Sequence, residues 1–373
     1  MQAEQSLLER CDLWGCIQCG KCTGGCPMSF KTVLNIRRLI YQALVEGDLS
    51  PEGMEELWDC TTCGTCVLRC PKEVEPSDLI IALRTTLVDG GVIPPTIRDA
   101  LTSVFRHGNP VLMPPDERAD WAEGLGVKNI SDGAGTLYFV GCIPSYDDRA
   151  QKVAKAMVKV FQKADVDFGI LGVEEKCCCS EVRRVGEEGL FEYIMEEQQE
   201  LFKGHGVKHI VTTSPHCFNT FKNEYDGLDN IKVQHYTQFV AELIEAGRLT
   251  FSGELNKVVT YHDPCFLGKQ NGVFDEPRRI LQSIPGLEFR EMDRIRDRSL
   301  CCEGGGGRMW WEGTNPDEKL ATSRFEEVLS VGADVLAVAC PFCLLTFELA
   351  AKAGGYDEKV QVLDIMELLA QVI

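Results

Sequence analysis

The sequence predicts an α/β protein with a cysteine-rich helical region at its N-terminus and two similar α/β halves behind it. Two runs of four cysteines lie within the first 71 residues. From residue 136 onward, short apolar runs alternate with amphipathic stretches of helical spacing, which is typical of parallel strands covered by helices. The same part of the chain repeats itself at a nearly constant offset. These observations divide the chain into residues 1–90, a linker over 91–135, and two halves at 136–250 and 251–373.

Two helices are predicted in the N-terminal region, one on each side of the second cysteine run. Apolar residues recur at helical spacing over 33–46, and a second helix is predicted from Ser77 through Leu87. Prolines and glycines are then frequent over residues 91–135. That composition predicts a linker with one helix, Thr96 to Phe105.

Strand and helix patterns alternate through the rest of the chain. The predicted strands are Thr136–Val140, Ile210–Thr213, Lys257–Tyr261 and Val335–Ala339. The predicted helices are Arg149–Ala164, Leu190–Lys203 and Glu318–Val331. Because parallel strands need crossover connections, this order favours sheets that are largely parallel.

The two halves match each other at four places. Cys142 recurs as Cys265, Cys177-Cys178 as Cys301-Cys302, Ser214 to Cys217 as Cys340 to Cys343, and Val233-Gln234 as Val360-Gln361. The offset stays between 123 and 127 residues. A constant offset of this kind predicts two copies of one folding unit.

Charge and hydropathy exclude several classes of partner. The net charge of −19 opposes binding to nucleic acid or to an anionic membrane surface. No apolar run reaches the roughly 18 residues of a membrane span, and the N-terminus shows no signal-peptide pattern. We expect a cytoplasmic chain, or one that is peripheral to the inner face of a membrane through a partner.

The two N-terminal cysteine runs have the spacing C-x₂-C-x₂-C-x₃-C-P, which indicates two cubane [4Fe–4S] clusters. In this arrangement the fourth cysteine of each run binds the cluster of the other run. The first cluster is therefore assigned Cys16, Cys19, Cys22 and Cys70, and the second is assigned Cys60, Cys63, Cys66 and Cys26. Tetrahedral zinc is the alternative, but zinc sites use two separated C-x₂-C pairs. Cys11 lies outside the pattern.

The second half carries Cys265, the pair Cys301-Cys302, and Cys340-Pro-Phe-Cys343. This spacing resembles the CCG motif of heterodisulfide reductase catalytic subunits, and the whole layout resembles the HdrD-type subunit. Iron–sulfur subunits of lactate and glycolate oxidases and of anaerobic glycerol-3-phosphate dehydrogenase share it. The resemblance implies a non-cubane [4Fe–4S] cluster with five ligands: Cys265, Cys301, Cys302, Cys340 and Cys343.

The chain departs from that motif in both halves. Cys179 and Glu303 replace the glycine after the paired cysteines, and Ser214 replaces a cysteine in the first half. Cys179 can restore the count of five. The first-half set, Cys142, Cys177, Cys178, Cys179 and Cys217, is therefore open between a second non-cubane cluster, a zinc site and a vestigial site.

The resemblance implies an oxidoreductase subunit that passes electrons through the cubane clusters to the CCG region. We expect partner subunits, either a flavoprotein or a membrane cytochrome b-type quinone subunit, and a disulfide-like substrate is an option. An alternative is the iron–sulfur subunit of a 2-hydroxy-acid or glycerol-3-phosphate oxidase, and another is a relay module with structural zinc. No flavin or nicotinamide fingerprint is evident.

Three further sequence features carry expectations. Gly304 to Gly307 does not fit a phosphate loop, and we expect it to let the backbone approach a cluster. His216 and His262 each lie near a predicted ligand, and a structural role is favoured for both. A basic island in the N-terminal region is predicted to dock a redox partner. Its members are Lys21, Lys31, Arg37 and Arg38.

Overall fold

A computed structural model describes residues 11–46 and 53–373 of the chain. The N-terminal region is helical. Its α-helices are α1 (Lys21–Gly25), α2 (Ile36–Tyr41), α3 (Thr65–Leu68), α4 (Pro76–Asp89) and α5 (Pro95–His107). Shorter 3₁₀ turns cover Leu13–Gly15, Met28–Phe30 and Glu55–Asp59.

The predicted helix over 33–46 is shorter than expected. Its α-helical part begins at Ile36 because the side chain of Asn35 caps it by accepting a hydrogen bond from the Arg38 backbone N–H at 3.0 Å. A π-helical turn, Gln42–Glu46, replaces its last part. The next two predicted helices each start one residue early, at Pro76 and Pro95, because proline is well suited to the first helical turn.

The first α/β half contains a five-stranded parallel sheet. Its strands are β1 (Lys128–Asn129), β2 (Thr136–Phe139), β3 (Phe168–Ile170), β4 (His209–Thr212) and β5 (Lys232–His235). Its helices are α6 (Cys142–Tyr146), α7 (Asp148–Lys163), α8 (Ser180–Arg184), α9 (Glu188–Gly204), α10 (Pro215–Asn223) and α11 (Tyr236–Glu245). Additional 3₁₀ turns are Pro115–Ala122, Ile130–Asp132 and Gly172–Glu174. The strand order is β1-β3-β2-β4-β5, and Leu137 pairs with Ile210 in the centre.

The second half contains a four-stranded parallel sheet. Its strands are β6 (Val258–Tyr261), β7 (Glu288–Phe289), β8 (Val335–Val338) and β9 (Gln361–Asp364). Its helices are α12 (Asp275–Ser283), α13 (Leu320–Ser330), α14 (Pro341–Gly354) and α15 (Ile365–Leu369), with a 3₁₀ turn at Arg296–Arg298. The order β7-β6-β8-β9 matches β3-β2-β4-β5 of the first sheet. The predicted α/β class with two similar halves is confirmed.

The strand order decides where the cysteines lie. In parallel sheets, the loops that follow the strands meet at the carboxyl edge. Cys142 follows β2 and Ser214 to Cys217 follow β4, while Cys265 follows β6 and Cys340 follows β8. Each pair of strands is hydrogen-bonded, so each half brings its cysteines to one edge.

The three regions share buried contacts. One apolar cluster combines residues of the N-terminal region and the first half, including Leu57, Leu83 and Phe139. A second cluster contains residues of both sheets, such as Tyr138 and Tyr261. Since these side chains are removed from water together, the halves stabilise each other in the folded chain.

Candidate metal-binding sites

The cysteines assigned to the first cubane cluster line one small depression of the N-terminal region. They are Cys16, Cys19, Cys22 and Cys70. Gly20 has a φ of 77° at the start of α1, a left-handed conformation that lets the chain turn back between Cys19 and Cys22. Cys19 is exposed, so this depression opens to solvent.

The cysteines assigned to the second cubane cluster lie deeper. Each of the four, Cys26, Cys60, Cys63 and Cys66, is 7% exposed. Burial, followed by the nearby thiols of Cys60, Cys63 and Cys26, raises the pKa of Cys66. Burial likewise raises the pKa of Cys26 to about 11, with a contribution from Cys63. Cys26 of the first run therefore lies with three cysteines of the second run, as the exchange of fourth ligands requires.

The cysteines of the second half also converge. The Sγ atoms of Cys302 and Cys343 are 3.2 Å apart, and the Cys301 thiol is hydrogen-bonded to that of Cys265. Cys340 caps α14 without using its side chain, which leaves the sulfur available. Backbone N–H groups of Glu303 and Gly304 donate to the sulfurs of Cys301 and Cys302 at 3.3 and 3.4 Å. Donors aimed at sulfur favour the thiolate, which is the form that binds metal.

Two histidines lie against this set of cysteines. His262 has a ring nitrogen within 4.8 Å of the Cys302 and Cys343 sulfurs, and Arg324 donates to its Nδ1 at 3.4 Å. Burial and the Arg324 charge hold the pKa of His262 well below its usual range. His216 of the first half lies 2.9 Å from Glu181 through its Nδ1.

His216 also connects the two halves. Its ring stacks on Phe266 at 4.1 Å and lies 4.7 Å from the ring of Phe342, the residue at the matching position of the repeat. Burial alone would lower its pKa, but hydrogen bonding to Cys340 and to Glu181 raises the pKa to about 10. A bond from Cys343, followed by the bond and charge of His216, offsets burial and lowers the pKa of Cys340 to about 5. The first half thus places an imidazole beside a cysteine sulfur of the second half.

The five cysteines of the first half form a third group. Cys142 is hydrogen-bonded to Cys177, and Cys178 to Cys217. Cys179 is fully buried, and its backbone N–H donates to the Cys177 sulfur at 3.4 Å. The structure therefore places Cys179 beside the other four.

Arg118 stabilises this group from one side. Its guanidinium donates to the Cys142 sulfur at 3.4 Å and to Glu175 at 2.8 Å, and both residues of the ion pair are about 2% exposed. Glu175 also accepts from the backbone N–H groups of Val140 and Gly141, at 3.0 and 2.9 Å. The bond with Cys177 and burial raise the pKa of Cys142 well above its usual value, and the Arg118 charge opposes that rise.

Ser214 caps a helix with its side chain, whereas the matching cysteine of the second half does not. The Ser214 hydroxyl accepts a hydrogen bond from the backbone N–H of His216 at 3.2 Å and so caps α10. Cys340, by contrast, leaves α14 without a side-chain cap. The substitution therefore gains a helix cap and removes a candidate sulfur ligand.

The backbone conformation after each cysteine pair explains why the CCG motif has a glycine at that position. Cys179 has a φ of 59° and Glu303 a φ of 72°, both in the left-handed region that glycine adopts at no steric cost. Glu303 is held there by bonds from the Leu320 N–H at 2.8 Å and from Arg308 at 3.4 Å. Side-chain contacts hold Glu303 in a conformation that disfavours non-glycine residues.

The N-terminal region and the second half meet at the buried cysteines. The Thr61 hydroxyl lies 3.4 Å from the Cys301 sulfur, and the thiols of Cys63 and Cys301 interact directly. Lys269 donates to the Thr65 hydroxyl at 2.8 Å and to the Ser299 carbonyl at 2.7 Å. The second cubane set and the second-half set are therefore adjacent.

The glycine run 304–307 makes this contact possible. A Cβ on Gly306 would lie 2.3 Å from the Cys60 carbonyl oxygen, and one on Gly305 would lie 2.9 Å from the Thr61 carbonyl oxygen. Both distances are shorter than van der Waals contact, so only glycine lets the two backbones approach. The structure thus brings this run beside the cysteine loop, and Arg308, which follows it, pairs with Asp59 at 3.3 Å.

Several of these residues carry no sequence signal. Thr61 and Lys269 are ordinary surface residue types, and their contacts with Cys301 and Thr65 join residues that are more than 200 positions apart. Arg118, Glu175 and Glu181 stand outside any recognisable motif. Only the proximity of Glu175 and Glu181 to the Cys177-Cys178 pair in the sequence pointed toward the site.

The donor sets fit iron–sulfur clusters. Four cysteines line the first N-terminal depression, four more lie together at the second N-terminal site, and thiolates are the ligands of such clusters. Five thiols at one site exceed what a single tetrahedral zinc can use. None of the helices among the described residues is long and apolar enough to cross a membrane.

Comparison with known protein families agrees with this arrangement. Residues 12–74 match the 4Fe-4S dicluster domain, and residues 136–222 and 259–348 each match the cysteine-rich CCG domain. The fold and its cysteines define an iron–sulfur oxidoreductase subunit.

Relatives narrow the class to a family. The chain is 35% identical over 302 residues to the HdrD-type subunit of the dihydromethanophenazine:CoB–CoM heterodisulfide reductase of Methanosarcina barkeri, covering 78% of this chain and 72% of the relative. It belongs to the family of that heterodisulfide reductase component. It is 38% identical to the probable iron–sulfur-binding oxidoreductase FadF of Bacillus subtilis and 35% identical to the EtfAB:quinone oxidoreductase of Syntrophomonas wolfei. These matches cover 79% and 78% of this chain, but the chain spans only 43% of the length of each of these two.

Proposed function

We propose that the chain is the electron-transfer and catalytic subunit of a multi-subunit oxidoreductase, in which electrons pass from two cubane clusters to a non-cubane [4Fe–4S] cluster. In this proposal the first cubane cluster is held by Cys16, Cys19, Cys22 and Cys70. The second is held by Cys60, Cys63, Cys66 and Cys26. The non-cubane cluster is held by Cys265, Cys301, Cys302, Cys340 and Cys343. When bound, the clusters supply one-electron transfer.

The contact between Cys63 and Cys301 is the observation that carries the proposal. It places a cysteine of the second cubane set directly against one of the second-half set. The exposed Cys19 marks the opposite end of the series, where a partner can approach the first set. The order of the three sets from surface to interior is what a path for electrons requires.

The first half is proposed to hold a second metal centre through Cys142, Cys177, Cys178, Cys179 and Cys217. The contacts of Arg118 and Cys179 support a cluster with five thiolates, since both favour charged sulfur near one point. The alternative to a cluster is a zinc ion bound by four of these five cysteines. Metal analysis separates the two, because zinc would be absent from a protein that holds only clusters.

Partners follow from the chemistry of the proposed clusters. Clusters move single electrons, so a donor or acceptor of electron pairs needs a flavin or an equivalent in another subunit. We propose a flavoprotein, a membrane cytochrome b-type quinone subunit or both as partners, which would hold the chain at the inner face of a membrane. A disulfide-like substrate, as the name of the Methanosarcina relatives suggests, would be reduced at the second half.

A second candidate function has its own support. The similarity to the EtfAB:quinone oxidoreductase favours a relay of electrons from EtfAB to quinone. In this candidate the second half passes electrons onward and no disulfide is cleaved. Iron–sulfur subunits of 2-hydroxy-acid and glycerol-3-phosphate oxidases would work in the same way.

One experiment tests the proposal at the level of its clusters. The full chain is reconstituted anaerobically, and its iron and zinc are measured together with EPR spectra in both redox states. Two cubane clusters and one non-cubane cluster require about twelve irons per chain, and a second non-cubane cluster in the first half would raise the content to about sixteen. A content of about eight irons with zinc, and no signal beyond those of two cubane clusters, would leave only the relay module with structural zinc. Thiol release from an added disulfide then separates the catalytic function from the relay to quinone.

A further inference from the structure

The chain is acidic, but the surface above its predicted clusters is basic. Three depressions open along this surface, and we refer to them together as the basic strip. The first surrounds Cys16 and Cys19, the second is a cavity of about 440 Å³ beside Arg37 and Arg38, and the third is a cavity of about 610 Å³. The first two share Gly20 and Arg37 in their walls, and the last two share Gly24, so the strip is continuous.

The charge of the strip differs from that of the rest of the chain. Nine lysines and arginines line the three depressions, against three acidic residues. The chain as a whole has 38 basic and 57 acidic residues. Arg37, Arg38, Arg69 and Arg298 have no carboxylate within ion-pair distance in the part of the chain that the structure describes. These cations are therefore available to a partner.

The strip reaches beyond the N-terminal region. Its third depression lies between that region and the second half, with Arg69 on one side and Lys269 and Arg298 on the other. Gly25 and Pro27, which flank Cys26, line the same depression. So does Leu300, which precedes Cys301. The strip thus follows the cysteine loops from the first cubane set to the second-half set.

Apolar side chains supply the anchors that protein interfaces use. One exposed apolar residue lines each depression: Ile17, which is 62% exposed, Tyr41, which is 42% exposed, and Phe30, which is 72% exposed. Aromatic anchors with surrounding arginines are typical of protein–protein interfaces. An anionic bilayer offers a weaker match, because it is flat and these cations line depressions.

We propose that an acidic redox protein docks along the basic strip and exchanges electrons with the chain there. The proposal rests on the proposed function, since it assumes clusters in the cysteine sets below the strip. Each transfer is a one-electron step, in which the partner is oxidised by one electron and the chain is reduced by one. A partner that contacts the strip spans the N-terminal region and the second half, so both must be present to form the site.

Charge reversals on the cluster-loaded chain test the proposal. Photoreduced flavodoxin, a small acidic flavoprotein, serves as the probe, and reduction of the clusters is followed by stopped-flow absorbance. We expect the second-order rate of the native chain to fall with salt, and R69E/R298E to lower that rate by about tenfold at low ionic strength. R37E/R38E should have a similar effect. The matched control K152E/K155E, on the exposed face of α7, should leave the rate unchanged.

Three further measurements make the outcome decisive. A small uncharged reductant should reduce all variants at the native rate, which shows that the clusters are intact. A carbodiimide should join flavodoxin carboxylates to Lys269 or Lys31 of the native chain. If R69E/R298E accepts electrons from flavodoxin at the native rate, the proposal is wrong. Binding of the variants to phosphatidylglycerol vesicles is the third measurement, and the proposal is equally wrong if the substitutions weaken only that binding. If the native chain shows no clusters, the proposed function fails instead.

Discussion

The sulfur of Cys301 lies 3.4 Å from the hydroxyl of Thr61, across the boundary between the second half and the N-terminal region. Thr61 stands between Cys60 and Cys63 of the second cubane set, so this contact joins two predicted metal sites. A substitution in the second cubane set should therefore alter metal binding at the second-half set, whereas a substitution in the exposed first set should not.

Substitution of single ligands should reveal this asymmetry. We expect Cys19→Ser to remove about one cluster of iron and to leave the signals of the second half intact. Cys63→Ser should remove a similar amount of iron and also alter the second-half signals, because Cys63 contacts Cys301. Iron analysis and EPR of both variants provide the measurement. Equal effects of the two substitutions on the second half would contradict the asymmetry.

The two halves should differ in what their cysteine pairs hold. Cys302→Ala removes a sulfur that contacts Cys343 at 3.2 Å, so it should abolish any paramagnetic signal that a disulfide substrate induces in the oxidised protein. Cys178→Ala, its counterpart in the first half, should leave that signal in place. EPR of the oxidised protein with the substrate added checks this ranking, and the reverse ranking would assign substrate chemistry to the first half.

Arg84 should be essential for joining the three regions. Its fully buried guanidinium donates to the carbonyls of Cys60 at 2.7 Å, Arg184 at 2.8 Å and Gly306 at 3.1 Å, and twice to that of Leu57. Arg84→Met would leave these acceptors buried without donors. We expect a loss of about 3–5 kcal/mol in the free energy of unfolding.

Thermal unfolding of the cluster-loaded protein measures that loss. The matched control is Arg98→Met, because Arg98 is exposed and donates one bond, to the Ile93 carbonyl at 3.3 Å. It should change the free energy of unfolding by at most about 0.5 kcal/mol. Similar unfolding temperatures for the two variants would show that Arg84 does not join the regions.

Asp364 should make stability depend on pH. It caps α15, accepts bonds from the Tyr236 hydroxyl at 2.8 Å and from the Met366 N–H at 2.9 Å, and is fully buried. Burial raises its pKa to about 8. A carboxyl with a raised pKa favours folding while it is protonated, so its contribution is complete below about pH 4 and is lost as the pH rises through about 8.

The variant Asp364→Asn tests this directly. Asparagine keeps the acceptor oxygen and cannot ionise, so the variant should lose the decline in stability between about pH 4 and 8. The decline in the native chain is expected to be on the order of a few kcal/mol. Unfolding temperatures at several pH values check the slope. Parallel curves for variant and native chain would place the pKa of Asp364 outside this range.

The sequence predicted what is encoded locally. The spacing of the cysteine runs predicted two ligand sets, and the structure places Cys26 beside the cysteines of the second run. The four predicted strands and most of the predicted helices agree with the structure within two residues, because apolar periodicity reflects which face is buried. The other strands of the described residues, β1, β3, β5, β7 and β9, were not predicted. The family resemblance is confirmed by the matched domains and by the Methanosarcina relatives.

Other features could not be predicted because they depend on distant residues. The bond from Lys269 to Thr65 joins positions 204 residues apart, and nothing near either residue indicates it. The edge strand β1 lies in the segment with the composition of a linker, and it pairs with β3 through only two residues. In the sequence, the only indication of the left-handed backbone at Cys179 and Glu303 was that these residues replace the glycine of the motif.

The close approach of Gly306 to Cys60 has a consequence for biosynthesis. The ribosome releases the N-terminal region first. The segment of the second half that covers the second cysteine run is made about 240 residues later, which is the separation of Thr61 and Cys301. At about 5–20 residues per second, those thiols stay uncovered for roughly ten to fifty seconds. Assembly factors can therefore deliver iron and sulfide to this run while the chain is still being translated, and folding of the second half then shields that side of the run from solvent oxidants.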